Sequence, residues 1–441
     1  MNKRLIFIVA GGGLLLLAIV WILLAVFAGG GQKKAAPKEE GPVTLTYWRV
    51  FDDTDKFQEQ IDEYQGEHGD VKIEYRKLTF QEYERTLLDA LAEGRGPDIL
   101  MVHNTWLPRY FNKISPLPEG KYKISDYERE FYPPAQETVK NNRIYGLPLT
   151  IDTLGMYVNE DLELESEVGE SPDTWEKLIG RNGNPNLLKQ INRRSGDSFR
   201  RSAVALGNNG VSRSQDILAL LMLQNRTKMT NDQHTQATFN LTQDVEGQQK
   251  ALGRIGLEFY TSFADPRSPN YSWNDRNGSS VRAFAKNKVA YFFGYAYHAQ
   301  ELKRLNPDLQ YRIEKIPQIA GTAPVNYASF WVETVSRNSK HQKEAWDFVR
   351  FLTGKEPMQT YAEATELIPA RKEISASGGL EVMQEQLPSA RSWYKGDADK
   401  ADAIFARMIS SVLRGERSQN AIDRGANDLT DVLRQLKERD S

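Results

Sequence analysis

Between Val43 and Val102 the chain switches repeatedly between two hydrophobic periods, and this alternation constrains its fold more than any other feature. VTLTYW alternates apolar and polar positions and uses β-branched and aromatic residues, as a half-buried strand does. In the next segment, FDDTDKFQEQIDEYQGEHG, Phe57, Ile61 and Tyr64 recur at spacings of four and three, which predicts a turn and an amphipathic helix. VKIEYRKL is a second alternating strand. TFQEYERTLLDALAEGRG is a second helix, with Thr79 at the capping position and Gly94 at its close. DILMV then reads as a short strand buried on both faces. Strands and helices in this order predict βαβ units and a parallel sheet.

In open α/β sheets, ligands sit beyond the carboxyl ends of the strands. Trp48, Asp52 and Asp53 follow the first strand, and His103, Asn104 and Trp106 follow DILMV, so two polar-aromatic clusters are expected at one rim. A dinucleotide reading of the nearby glycines fails. Gly94 and Gly96 precede the strand, whereas that fingerprint needs its glycines after a strand, opening a helix toward the pyrophosphate.

The rest of the chain narrows the function classes. Its 441 residues leave room for about two or three domains. A formal net charge of -2 gives no basic footprint, so nucleic acid is not an expected partner. The absence of cysteine excludes disulfides, thiolate metal sites and a cysteine nucleophile. The five histidines are scattered without zinc-site spacing, so neither a metal nor a cofactor is expected.

At the N-terminus, Lys3 and Arg4 precede an uncharged stretch over residues 5–27. As a helix it would span about 34 Å, against a hydrocarbon core of roughly 30 Å. A secretory signal has a shorter apolar core of about 7–15 residues, so residues 1–30 are expected to be a transmembrane anchor. Val26 and Ala28 also offer a small-residue cleavage site, the alternative reading. GGGQKKAAPKEEGP follows, and residues 31–42 read as a flexible tether.

Five segments carry a resemblance to a known family: EGRGPDILMVHNTWLPRYFNKISPLPE, RIYGLPLTIDTLGMYVNEDL, SPDTWEKL, VRAFAKNKVAYFFGYAYHAQEL and VSRNSKHQKEAWDFVRFLTGKEPM. In order and spacing they resemble the extracellular solute-binding proteins of ABC importers, the group that includes maltose-binding protein. The resemblance implies an α/β, two-lobed periplasmic-binding-protein-like fold of type II, here preceded by an N-terminal transmembrane helix. Lobe one would comprise residues 43–148 with 311–370, and lobe two residues 149–310 with 371–441. Many bacterial members carry a lipid-attached cysteine, which this chain lacks; a transmembrane helix would replace the lipid.

The resemblance also implies where a solute would bind. Trp48 and Asp52 fall in the family's first binding loop, and Asn104 and Trp106 in the second. Asp152 falls where an acidic hinge residue faces the ligand. Tyr295 and Tyr297 fall where a lobe-two aromatic stacks, and Trp331 and Trp393 complete the set. Sugars suit such a cleft, because rings pack on their C–H faces while carboxylates and amides bind their hydroxyls. Each residue has a plainer reading. Trp48 ends an apolar alternation that suits core, Asp52 could cap the following helix, and one of Tyr295 and Tyr297 is expected to pack. Trp175 and Trp346 read as scaffold on amphipathic helices.

The expected function is a membrane-tethered, extracytoplasmic, monomeric receptor without catalytic residues, delivering a carbohydrate, expected to be an oligosaccharide, to permease subunits. The competing readings are a glycoside hydrolase using Asp52 and Asp152 as its carboxylate pair, and a tethered sensory or scaffold protein.

Overall fold

Strands form where the sequence alternates, and two main sheets collect most of them. The computed structural model describes residues 41–440. The expected anchor and most of the expected tether lie outside these residues. Among the described residues, no helix is long and apolar enough to cross a membrane.

The first sheet begins with β1 (Val43–Val50), followed by α1 (Gln58–Glu67), β2 (Val71–Leu78), α2 (Phe80–Ala92) and β3 (Ile99–His103). This is the predicted alternation. Gly94 sits just beyond α2 at φ +68°, the left-handed geometry that glycine adopts without a Cβ penalty. β1 and β3 run parallel, with Tyr47 beside Ile99 and Trp48 beside Leu100.

The chain then adds β4 (Leu147–Thr153), and β5 (Gly155–Asn159) begins the second sheet. That sheet also takes β6 (Ser198–Val204), β7 (Val289–Gly294) and β8 (Tyr311–Glu314), in the order β8–β5–β7–β6 with Arg193–Ser195 outermost. Around it lie α3 (Ser214–Gln224), α4 (Leu252–Ser262) and α5 (Tyr297–Leu305). A long strand, β9 (Asn326–Ser336), then re-enters the first sheet antiparallel to both β3 and β4. After α6 (Gln342–Leu352) and α7 (Lys355–Thr365), the short β10 (Ala390–Arg391) pairs with β9. The order β10–β9–β3–β1–β2 is therefore mixed, not purely parallel as βαβ units alone predict.

Strand pairing moves three expected boundaries. β4 pairs with β9 as far as Thr153, so the first crossover falls at Leu154 rather than after Pro148. Pro148 stands within β4 opposite Val332, where the register shifts, and a bulge tolerates the missing N–H. β8 pairs with β5 in the second sheet, so the chain returns at Asn326 rather than at 311. β10 keeps the chain in the first sheet to Arg391, beyond 370.

The C-terminal helices α8 (Ala398–Leu413) and α9 (Ser418–Asp440) bury Phe405, Met408, Ile409, Ile422 and Leu429 in the same core as Trp175, Tyr260 and Phe292. They pack against α3 and α4 beside the second sheet. Trp175 and Trp346 are 3% and 1% exposed, consistent with scaffold roles.

Candidate functional site

Because β1 and β3 are parallel neighbours, the segments that follow them emerge side by side. Their rim lines a cavity of about 570 Å³, to which the segment after β1 contributes Phe51 and Asp52, β9 contributes Trp331 and the start of α5 contributes Tyr297. A smaller cavity of about 160 Å³ adjoins it, with Tyr297, Ser329 and Trp331 lining both.

Trp331 is the centre of this cleft. Its ring stands edge-on to Trp106 at 5.0 Å, His103 at 5.1 Å and Phe51 at 5.6 Å. Register explains the position, since Trp331 lies opposite His103 across the β9–β3 ladder. Trp106 lines the smaller cavity but is only 7% exposed and stacks on Tyr110, so it presents an edge and not an open face. His103 hydrogen-bonds through its ring nitrogens to Thr105 Oγ1 (2.7 Å) and Ser329 Oγ (3.1 Å). Burial, reinforced by the Arg213 and Lys395 charges, lowers its pKa to about 3, so the imidazole is neutral in the cleft wall.

Asp52 does not cap the following helix. Its Oδ2 accepts from Tyr361 Oη at 2.9 Å and lies 3.4 Å from Arg49 Nη1, leaving the side chain 16% exposed at the cavity wall. Arg49 lies beneath, 3.2 Å from Glu333, with both side chains 1% exposed.

Tyr295 and Tyr297 do not share a strand face, because β7 ends at Gly294 and Tyr297 opens α5. Tyr295 is wholly buried and donates its hydroxyl to Asp216 Oδ2 at 3.0 Å, whereas Tyr297 is 43% exposed into the cleft. The pair therefore divides into one packing ring and one open ring.

Three expected residues are engaged elsewhere. Trp48 lines none of the cavities described here; strand alternation turns it away from Tyr47, and its ring lies under the Arg76 guanidinium at 4.7 Å. Asn104 faces a third cavity, of about 460 Å³, and its amide is committed. Its Nδ2 donates to Glu137 Oε2 (2.9 Å) and Ser392 Oγ (3.2 Å), while its Oδ1 accepts from Phe330 N (3.2 Å). Trp393 is 8% exposed, stacks on Phe405 at 5.4 Å in the second-lobe core, and shows an edge to that third cavity alone.

Asp152 lies at the larger cavity, opposite Ser329 on β9, but its carboxylate is held by backbone. Both oxygens are 3.0 Å from Ala296 N at the start of α5, and Oδ1 also accepts from Thr153 N at 2.8 Å. Burial raises its pKa to about 7, against the opposing pull of these N–H groups. A carboxyl raised in the folded state stabilises the fold fully below its unfolded pKa of about 3.9, and that contribution is lost as pH rises toward 7. The stability difference between wild type and Asp152→Asn should therefore change across pH 4–7, by at most about 1.4 kcal/mol per pH unit. Melting curves at several pH values check this; a difference constant across that window contradicts it.

Sequence reasoning missed Phe51, Phe80 and Arg213. Arg213 lines the smaller cavity at φ +59°, and its Nε donates to Asp216 Oδ2 at 2.8 Å. Although burial pushes the Asp216 carboxyl up, Arg213 and Lys395 outweigh it and hold the group well below the usual range. Among the described residues, no group of three His, Asp or Glu side chains is arranged to hold a metal ion.

Two α/β lobes facing each other across an aromatic-lined cleft define a solute-binding protein fold. The pattern of the bacterial extracellular solute-binding proteins matches residues 59–386, and the chain belongs to that family. The multiple sugar-binding protein of Streptococcus mutans is 21% identical over 337 residues, 74% of each chain. The sugar-binding protein MalE of Xanthomonas citri superposes with a TM-score of 0.73 at 16% identity, covering 90% of this chain and 98% of its own. A Thermotoga lettingae ABC transporter solute-binding protein, bound with α-D-tagatose, gives 0.68 at 19% identity, covering 89% and 100%.

Proposed function

We propose that this protein is a non-catalytic receptor that closes its two lobes around a carbohydrate, an oligosaccharide, and delivers it to the permease of an ABC importer. The observation that carries this reading is the cleft itself, where Trp331 on β9 of the first sheet and Tyr297 at the start of α5, beside the second sheet, line one cavity. Its walls combine aromatic rings with fixed polar groups, the chemistry that a sugar's C–H faces and hydroxyls require. Sugar binding by the similar proteins of Streptococcus mutans and Xanthomonas citri supports the ligand class.

Lobe one comprises residues 44–153 with 326–391 in this reading, and lobe two the intervening segment with the C-terminal helices. The uncharged stretch 5–27 supports attachment to a membrane, with the lobes outside the cytoplasm. Binding without turnover is supported by the engagement of the two candidate carboxylates. Asp52 is tied to Arg49 and Tyr361, and Asp152 to backbone N–H groups.

A thermal-shift screen against neutral mono- and oligosaccharides, with chromatography of the incubated sugars, tests the proposal. At least one sugar should raise Tm, because a ligand bound only by the folded state stabilises it by RT ln(1 + [L]/Kd). The sugar should be recovered intact. Hydrolysis products that disappear in Asp52→Asn or Asp152→Asn would replace the receptor with a glycosidase.

A further inference from the structure

The three exposed phenylalanine, tyrosine or tryptophan rings among the described residues, Phe51, Phe80 and Tyr297, all line the cleft. Phe51 and Phe80 are 54% and 52% exposed and stack on one another at 5.9 Å with an interplanar angle of 18°. Both stand edge-on to Trp331, at 5.6 and 6.3 Å. Phe51 lines the larger cavity and Phe80 the smaller, so the pair sits where the two meet.

Phe51 is also strained. It follows β1 at φ +71°, a region that bulky residues rarely occupy. A chain that only had to turn here would do so more favourably with glycine. A large ring in a strained backbone with half of its surface in water contributes to the free protein only through its contacts with Phe80 and Trp331. Such strain belongs to sites where the ring meets a ligand.

We infer that Phe51 and Phe80 form an outer aromatic platform that stacks a further sugar ring beyond the one at Trp331. The solute class follows: a neutral oligosaccharide longer than a disaccharide, spanning Trp331, this platform and Tyr297. The larger cavity's lining, which sets Asp52, Asp53, Asp55 and Asp152 against Lys56 alone, disfavours an anionic sugar. This inference rests on the carbohydrate reading above.

Calorimetric titration of wild type and Phe51→Ala/Phe80→Ala with malto-, cello- and manno-oligosaccharides of two to four units tests it. In the series that binds, wild type should gain about tenfold in affinity beyond the disaccharide. The double variant should lose that gain while binding the disaccharide within about threefold of wild type. Phe51→Gly, which relieves the backbone, should bind the longer sugars more weakly yet hold its ligand-free Tm or raise it by roughly 1–2 °C. A double variant that keeps the gain, or loses the disaccharide equally, overturns the platform but leaves the receptor standing. A Phe51→Gly variant with a lowered Tm makes the ring structural and also overturns the platform. A wild type that binds none of the three series overturns the platform, and the thermal-shift screen then decides whether the receptor stands.

Discussion

Replacing Arg49 by methionine is expected to destabilise the folded protein by about 3–5 kcal/mol, the typical consequence of leaving one member of a buried ion pair alone. Arg49 and Glu333 are each 1% exposed, with Nη2 and Oε1 3.2 Å apart. The same guanidinium lies over the Phe57 ring at 4.3 Å and donates to Tyr361 Oη at 3.3 Å. Burial pushes the Glu333 carboxyl above its usual range, and Arg49 is the main opposing influence. Without Arg49 the carboxylate has no counter-ion, and protonation becomes its way out. The defect should therefore be large at pH 8 and shrink toward pH 5, and Arg49→Met/Glu333→Gln should recover much of the loss. Urea unfolding across that range checks both points; a cost below about 1 kcal/mol at pH 8 would mean the pair is not what holds the sheet under the cleft.

Local periodicity made β1, α1, β2, α2 and β3 legible, because their hydrophobic residues repeat at strand and helix spacing within the segment itself. β9 was not legible in the same way. Its partners are His103 on β3 and Asp152 near the end of β4, so its place depends on pairing between residues far apart in sequence. The same holds for β8, whose sequence fits either sheet and whose ladder to β5 decides. Lobe boundaries set from the resemblance alone missed these strands by a few to about twenty residues.

Within the site, residue type was legible and engagement was not. Trp331 and Tyr297 both line the larger cavity. Asn104 and Trp393 have the right chemistry, but Glu137, Ser392 and Phe405 already occupy them. Trp48 and Phe51 lie three residues apart, yet only Phe51 reaches the cavity, because the strand ends at Val50 and the next residue turns at positive φ. No local signal marks a phenylalanine or an arginine for that geometry; tertiary contacts impose it.

Trp331→Ala should weaken binding of the best saccharide from the screen by about 100-fold to 1000-fold, equivalent to roughly 3–4 kcal/mol. The ring lines both cavities and is held by edge contacts from Tyr83, His103 and Trp106 in the wall beneath it, so its position is fixed before any solute arrives. A pre-positioned ring transmits most of its contact energy to binding, since little is spent on ordering it. Trp331→Phe keeps a smaller face and should fall between the two. Trp48, stacked under Arg76 away from the cleft, supplies the control. The decisive measurement is a calorimetric titration of that saccharide into wild type, Trp331→Ala and Trp48→Ala under identical conditions. The cleft assignment predicts a loss of at least about 100-fold for Trp331→Ala and less than about threefold for Trp48→Ala. Wild-type affinity in Trp331→Ala, or an equal loss in both variants, would contradict it.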